Sequence, residues 1–300
     1  MLGCARFGLF CLTVCLLAAV RARADGVVER GAVLQRLDSG FAFTEGPACD
    51  ALGSVFFTDQ PNDRILRWGV DGKVSTFLHP SGRANGLCFD RQGYLWACAD
   101  EKNEVWRIDP KGGHTVVVAG YQGKRLNGPN DLWVAPNGGV YLTDPYYRRE
   151  YWTRGGMEQS TQGVYYLAPG SRELRLVDGD LQQANGIVGT PDGKKLYVAD
   201  IGAGKTYLYD IRKDGGLTGR RLFCAMGSDG MTIDNEGNVY LTGNGVTVFD
   251  KAGKLIERIV VPARWTANVC FGGKGRRLLF ITAGDSVYGL RMRVHGVGSQ

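Results

Sequence analysis

Six motifs along the chain each begin with a polar residue, usually followed by glycine, and lead into an apolar stretch. Two of the six polar residues are carboxylates and four are carboxamides, so all of them offer oxygen atoms. Calcium binds about six to eight oxygen ligands, drawn from carboxylates, amide carbonyls and water. If the six side chains converge, they can therefore hold a divalent metal ion, whose charge the two carboxylates would neutralise. They are Glu45, Asn85, Asn130, Asn185, Asp229 and Asn268.

The same motifs mark the start of a repeated structural unit. Successive starts lie 40, 45, 55, 44 and 39 residues apart. In each unit an apolar strand is followed by a turn rich in Asp, Asn and Gly, as at 90–93 and 234–237, and then by a strand rich in β-branched and aromatic residues. A third and a fourth strand follow in most copies. Four short antiparallel strands per unit of about 40 residues are typical of a propeller blade.

The predicted fold is therefore all-β, a six-bladed β-propeller. The first strand of each blade lines the central channel, so the polar motif starts should meet at one mouth of it. We expect segment 27–37 to supply the outer strand of the last blade, and helix content to be very low because no stretch has a sustained 3.6-residue apolar period. An open β-sandwich is the structural alternative, but it does not predict six regularly spaced copies.

Turn formation offers a simpler explanation for any single motif, since Asn-Gly and Asp-Gly favour turns. That explanation is the stronger one for Asn85 and Asn268 taken individually. It does not explain the set, because a ring of buried polar groups needs partners and would have mainly itself. The set of six favours a metal site.

The chain begins with a segment that resembles a secretory signal peptide. Arg6 precedes a mostly apolar stretch, 7–20, and 22–24 matches a small-residue cleavage site. We expect residues 1–24 to be removed, a propeller domain over 25–300, and export to the periplasm or the exterior with no membrane attachment. A retained N-terminal anchor is the alternative, since signals and anchors differ mainly in the length of the apolar stretch.

Charge and cysteine content favour a small-molecule partner and a fold without a disulfide framework. The formal net charge of +6 falls when Arg6, Arg21 and Arg23 leave with the signal, and the remaining basic residues are scattered among acids, so no nucleic-acid footprint is present. Buried structural cysteines are expected, although one disulfide stays possible. The oligomeric state does not follow from the sequence. The cysteines beyond the signal are Cys49, Cys88, Cys98, Cys224 and Cys270.

Several motifs in combination resemble the gluconolactonase and senescence-marker (regucalcin) family over residues 40–290. They are Thr44-Glu45-Gly46-Pro47, Asn127-Gly128-Pro129-Asn130-Asp131-Leu132, Tyr141-Leu142-Thr143-Asp144-Pro145, Ala184-Asn185-Gly186 and Ser228-Asp229-Gly230-Met231. The resemblance implies a six-bladed propeller with one divalent ion held by Glu45, Asn130, Asn185 and Asp229, and hydrolysis of sugar lactones, with relatives active on organophosphates. One departure is Gly128, because regucalcin-like members carry Arg at that position.

These observations lead to the hypothesis of a metal-dependent lactonase, with calcium as the expected ion and zinc, manganese and magnesium as alternatives. Asp229 is the candidate general base as well as a ligand. Neither HExxH nor GxSxG occurs, so zinc-protease and serine-hydrolase chemistry lack their residues. The alternatives are a non-catalytic propeller that binds protein or carbohydrate around a structural ion, and an esterase or phosphotriesterase that uses the same site.

The loops that follow the second strands should lie at the same mouth as the six polar residues. The longest, 145–162, is basic and aromatic, which suits it either to cover a substrate or to pack as an ordinary surface loop. Substrate contacts are predicted for two of the motif starts and for three residues near the beginning of this loop. They are Asn85, Asn268, Asp144, Tyr146 and Arg148.

Overall fold

The computed structural model describes residues 26–298, which form six sheets of four antiparallel strands each. The innermost strands of successive sheets contact one another, and the innermost strand of the sixth sheet contacts that of the first. The sheets therefore close into a ring and are called blades I–VI in chain order. The prediction of a six-bladed β-propeller is confirmed, and the open sandwich is excluded.

Each blade is a meander whose first strand lies at the channel, except that the chain enters through an outer strand, β1 (Gln35–Ser39). Blade I contains β2 (Thr44–Cys49), β3 (Val55–Asp59), β4 (Arg64–Trp68) and β5 (Val74–Leu78). Blade II contains β6 (Ala84–Phe89), β7 (Leu95–Ala99), β8 (Glu104–Ile108) and β9 (His114–Val118). Blade III contains β10 (Leu132–Val134), β11 (Val140–Thr143), β12 (Val164–Leu167) and β13 (Leu174–Asp178).

The second half of the ring repeats this plan. Blade IV contains β14 (Ala184–Gly189), β15 (Lys195–Asp200), β16 (Lys205–Ile211) and β17 (Leu217–Cys224). Blade V contains β18 (Met231–Ile233), β19 (Val239–Gly243), β20 (Gly245–Phe249) and β21 (Leu255–Ile259). Blade VI contains β22 (Asn268–Gly272), β23 (Leu278–Ala283) and β24 (Ser286–Arg291).

The chain closes its own ring, because β1 pairs with β24 and completes blade VI. The predicted outer strand is thus confirmed, although it begins at Gln35 and only an isolated bridge from Val28 to Met292 precedes it. The predicted signal peptide, residues 1–24, lies outside the described residues. Helical structure within 26–298 is limited to two 3-10 turns, Gln60–Asn62 and Lys274–Arg276. None of the described helices is long and apolar enough to cross a membrane.

Aspartates at the hairpin turns explain why the first two strands of a blade fold back on each other. The carboxylate of Asp90 accepts the backbone N–H groups of Gln92 at 2.9 Å and Tyr94 at 3.0 Å. Gly93 takes the left-handed conformation that closes this turn, with φ at 82°. A side chain that satisfies the turn's own N–H groups fixes the register of the hairpin, and the same arrangement recurs at Asp50 and Asp234.

Glycines after the polar motif starts allow the inner strands to approach one another. A Cβ atom on Gly86 would lie 2.5 Å from the carbonyl oxygen of Asn130, and one on Gly186 would lie 2.6 Å from that of Asp229. Each of these contacts joins the first strand of one blade to the start of the next. In these motifs a polar residue is therefore followed by a glycine. Because glycine has no side chain, the polar residues of neighbouring blades can lie close together.

The core lies between the blades, where strand side chains of adjacent sheets pack in clusters such as Trp96, Leu132, Leu142 and Tyr165. The five cysteines among the described residues are all unpaired. Three are buried, while Cys49 and Cys88 are half-buried. Burial raises the pKa of Cys88 to about 12, so these thiols are structural rather than reactive.

Candidate active site at one mouth of the channel

The six polar motif starts, here called the mouth ring, converge at one end of the channel. All are buried except Asp229, which is half-buried. Asn185 in blade IV donates from Nδ2 to Oδ1 of Asp229 in blade V at 2.9 Å. Asn268 in blade VI donates from Nδ2 to Oε2 of Glu45 in blade I at 3.2 Å. The side chains of four of the six predicted positions are therefore in direct pairwise contact across blade boundaries.

The two remaining ring members are connected through the backbone. The carbonyl oxygen of Asn130 accepts the N–H of Gly86 at 2.7 Å, and the N–H of Asn130 donates to the carbonyl oxygen of Thr143 at 3.0 Å. The carbonyl oxygen of Asn85 accepts the hydroxyl of Thr58 at 3.1 Å. These backbone hydrogen bonds hold Asn85 and Asn130 in place near the starts of the first strands. They do not use the side chains of the two residues.

Two carboxamide oxygens of the mouth ring are buried without a hydrogen-bond partner among the described residues. They are Oδ1 of Asn85 and Oδ1 of Asn185. An unsatisfied buried acceptor costs about 1–3 kcal/mol, so two of them beside buried carboxylates indicate that something else accepts their lone pairs. A divalent cation meets that requirement, because hard cations bind carboxylate and amide oxygens. The residues present therefore fit such an ion.

Burial makes the two ring carboxylates unusually basic, and repulsion by Asp229 adds to this effect at Glu45. Burial raises the pKa of Glu45 well above its usual range, and the charge of Asp229 raises it further. Burial also raises the pKa of Asp229, to about 6, although the N–H donors of Trp265 and Asn185 act against this. No cluster of three or more His, Cys, Asp or Glu side chains within 26–298 is arranged to hold an ion. The predicted ligand set contains only two carboxylates and otherwise depends on carboxamide oxygens.

Asp131 lies beside the mouth ring, and the sequence interpretation did not include it. Its Oδ1 accepts the backbone N–H of Leu132 at 2.9 Å, and its Oδ2 lies 3.5 Å from Nδ2 of Asn268, which belongs to the opposite blade. Burial raises its pKa to about 7. The sequence does contain a signal for it, because Asp131 occupies the position at which four other motifs have glycine.

Trp265 is a second residue that the sequence interpretation missed. It lies between β21 and β22, and its indole N–H donates to Oδ2 of Asp229 at 2.6 Å. The side chain is 40% exposed, so it forms an aromatic edge of the mouth as well as a support for Asp229. No motif marks it, because the contact joins the end of one blade to the start of the same blade through an irregular loop.

The long loop 145–162 lies over this mouth and contributes Tyr147. The hydroxyl of Tyr147 accepts a hydrogen bond from Nδ2 of Asn185 at 2.9 Å. Burial raises the pKa of Tyr147 to about 12, so the hydroxyl keeps its proton at neutral pH. Two further residues predicted to contact substrate lie in this loop: the ring of Tyr146 packs against Trp152 with centroids 6.0 Å apart, and Arg148 is exposed.

Asp144, which is also predicted to contact substrate, is fully buried below the loop. Its two carboxylate oxygens accept the backbone N–H groups of Asn127 and Gly128, each at 2.8 Å. Burial raises its pKa to about 7. The carboxylate of Asp144 therefore holds the segment that leads to Asn130. The loop residues that face the mouth ring are Tyr147 and Arg149.

The fold and this mouth define a class: six-bladed β-propellers with a ring of oxygen donors at one end of the channel. The chain belongs to the SMP-30/Gluconolactonase/LRE-like family, whose model matches residues 43–285. The predicted family membership is thus confirmed.

Individual relatives agree with this membership. The gluconolactonase of Zymomonas mobilis is 31% identical, over 91% of this chain and 85% of the relative. The structure of a gluconolactonase from Xanthomonas campestris is 31% identical, with a TM-score of 0.81, over 90% of this chain and 96% of that one. Regucalcin from Agrobacterium tumefaciens, described as a calcium-binding protein, is 20% identical with a TM-score of 0.73, over 89% of this chain and 96% of that one, and shares the fold.

Proposed function

We propose that this protein hydrolyses a sugar lactone at the mouth ring with the help of one divalent metal ion, and that this ion is calcium. Lactone hydrolysis is the activity for which the relatives from Zymomonas mobilis and Xanthomonas campestris are named, and this chain is accordingly a lactonase. The observation that carries the metal requirement is the unsatisfied Oδ1 of Asn185, one of the proposed ligands, beside the carboxylates of Glu45 and Asp229. The proposed ligands are Glu45, Asn130, Asn185 and Asp229.

The chain's own residues provide a base and a proton donor for ester cleavage. Asp229, with a pKa near 6, is ionised at neutral pH and can take a proton from the attacking water. Trp265 fixes Oδ2 of this carboxylate, so Oδ1 remains directed to the ring. A bound divalent ion would polarise the lactone carbonyl and acidify water.

Opening of the lactone also requires a proton for the departing ester oxygen. The hydroxyl of Tyr147 accepts a hydrogen bond from Asn185, so its own proton is free to hydrogen-bond an oxygen atom of the substrate. As water adds to the carbonyl carbon and the ester C–O bond breaks, the proton held by Asp229 passes to the departing alkoxide. The product is a hydroxy acid, and its ionised carboxyl group accounts for the acid released in the assay below.

The test is hydrolysis of D-glucono-1,5-lactone, followed by acid release, before and after treatment with a chelator. We expect chelation to abolish activity and added calcium, manganese, zinc or magnesium to restore it, with one ion most effective. Asp229→Asn should lower kcat by about a thousandfold, in the range seen when a base is lost. Asp285→Asn is the matched control, because Asp285 is exposed in the β23–β24 loop on the same face.

Activity that survives both chelation and the Asp229→Asn substitution would overturn the metal mechanism. Hydrolysis of esters or phosphotriesters without hydrolysis of lactones would mean that the site is correct but that the substrate class is not. Export to the periplasm or exterior is a further part of the proposal, supported by the signal-like pattern of residues 1–24.

A further inference from the structure

The carboxylate of Asp100 departs from a pattern that its counterparts in other blades follow. Asp59, Asp144 and Asp200 each lie at the end of a second strand, and each accepts two backbone N–H groups from the segment that precedes its own blade's first strand. In blade II the equivalent N–H of Arg83, together with that of nearby Ser81, donates instead to Asp63. The buried carboxylate of Asp100 is thereby released for other partners.

Those partners belong mainly to the loop that covers the mouth. Oδ2 of Asp100 accepts hydrogen bonds from Nε of Arg149 at 3.0 Å and from the hydroxyl of Tyr151 at 2.6 Å. The backbone oxygen of Asp100 accepts the indole N–H of Trp152 at 2.9 Å. Blade II therefore anchors a loop that belongs to blade III, through three successive contacts on one residue.

Gly128 leaves room for this anchor. A Cβ atom at position 128 would lie 3.0 Å from the ring of Trp152 and 3.1 Å from Oδ1 of Asp100. The guanidinium carbon of Arg154 lies 3.9 Å from the centroid of the same indole and packs against it. A longer side chain at 128 would displace Trp152, so the loop position and the glycine are linked.

Arg149 is held by this anchor between Asp100 and the mouth ring. Its guanidinium carbon lies 5.6 Å from the ring centroid of Tyr147, whose hydroxyl contacts Asn185. Its positive charge also acts on Asp229 and opposes the rise in the pKa of that carboxylate. Within residues 26–298, Nε is the one side-chain nitrogen of Arg149 that donates a hydrogen bond, and the side chain is 25% exposed. Two guanidinium nitrogens therefore remain available at the mouth.

We propose that Arg149 determines substrate specificity by donating hydrogen bonds to the ring hydroxyl groups of a polyhydroxylated lactone. A planar guanidinium fixed through Nε presents its remaining N–H groups in a rigid fork, which suits adjacent oxygen atoms. An unsubstituted lactone offers no such oxygens and gains nothing from Arg149. This inference rests on the proposed lactonase function and names the residue that selects among lactones.

The test compares two lactones with the same six-membered ring, D-glucono-1,5-lactone and the unsubstituted δ-valerolactone. Arg149→Met keeps the length of the stem and removes the donors. It should raise KM for the hydroxylated lactone about tenfold or more, which corresponds to the loss of about 1.4 kcal/mol of binding, and change kcat/KM for δ-valerolactone less than about twofold. Arg258→Met is the matched control, since Arg258 is exposed on β21, the outermost strand of blade V, and should leave both substrates unaffected.

Equal losses on both lactones would overturn the inference, because they would mean that Arg149 only supports the loop or tunes Asp229. The same loss in Arg258→Met would also overturn it. If Arg149→Met fails to fold, Arg149→Lys serves instead. It keeps the charge but not the fork, and it should raise KM for the hydroxylated lactone alone.

Failure of the proposed function is recognised separately. A wild-type protein that hydrolyses δ-valerolactone but not the hydroxylated lactone contradicts the role of Arg149 and leaves the lactonase intact. If the wild type hydrolyses neither, the proposed function fails, and calorimetric binding of D-gluconate decides the inference. Tighter binding by wild type than by Arg149→Met supports it, and equal or absent binding overturns it.

Discussion

At the scale of single residues, the central feature is a pair of carboxylates that share one buried space. Glu45 in blade I and Asp229 in blade V lie on either side of blade VI, and the charge of Asp229 makes Glu45 harder to ionise. Neighbouring carboxamides satisfy some of their lone pairs, while Oδ1 of Asn85 and Oδ1 of Asn185 keep theirs. A divalent cation would neutralise the repulsion and also accept the free lone pair of Asn185.

Ion affinity should therefore depend on pH. Without the ion, the pKa of Asp229 is raised to about 6 and that of Glu45 is also raised, so below pH 6 protons compete for the ligand oxygens. We expect the calcium affinity to increase as the pH rises from 5 to 8, with protons released on binding. Titration calorimetry in buffers of different ionisation enthalpy measures both quantities. A calcium dissociation constant that is equal at pH 5 and pH 8 would contradict the proposal that the carboxylates of Glu45 and Asp229 together bind the ion.

The sequence identifies the ring residues because they recur, and it fails where residues act once. Tyr147 and Arg149 lie next to the predicted Tyr146 and Arg148, but a loop without a period gives no indication of which side chains point inward. Their direction is set by Asn185 and by Asp100, which belong to other blades. Trp265 is missed for the same reason, because only the folded loop brings it to Asp229.

At the scale of the structural element, the first strand of each blade combines a polar start with a glycine that the next blade packs against. The β-hairpins themselves are predictable, because Asp and Gly at the turns satisfy the backbone locally, as Asp90 and Gly93 do. The close approach between the inner strands of neighbouring blades is not predictable from the sequence, since it depends on the final distance between the blades. Asp131 shows the consequence: it replaces the glycine in blade III and its carboxylate enters the channel region.

Replacement of Gly86 by alanine tests this packing. The added Cβ would meet the carbonyl oxygen of Asn130 at 2.5 Å and Oδ1 of Asp131 at 2.6 Å, so blades II and III must separate. We expect Gly86→Ala to destabilise the fold by about 1–3 kcal/mol, as overpacking does, and to weaken ion binding because Asn130 shifts. Chemical denaturation measures the stability.

Gly155→Ala provides the control, since a Cβ at Gly155 meets nothing within 4 Å. It should change stability by no more than about 0.5 kcal/mol. If Gly86→Ala and Gly155→Ala are equally stable and bind calcium equally well, close packing of the first strands does not position the ring.

At the scale of the whole molecule, closure of the propeller creates the site. Glu45 and Asn268 are 223 residues apart in the chain, yet their side chains are in hydrogen-bond contact because blade VI meets blade I. That meeting is secured by β1, which precedes blade I and completes blade VI. Blade VI has only three strands of its own and is completed by β1, so the contact between Glu45 and Asn268 exists only in the closed ring.

The most direct test of the account is anomalous diffraction from crystals of the protein soaked in manganese or calcium. We predict one strong anomalous peak on the channel side of the mouth ring, within about 2.0–2.6 Å of its ligand oxygens. Those oxygens belong to Glu45, Asn130, Asn185 and Asp229. Well-diffracting soaked crystals with no peak there, or with a peak bound only by exposed acids elsewhere, would contradict the claim that these four residues hold the ion.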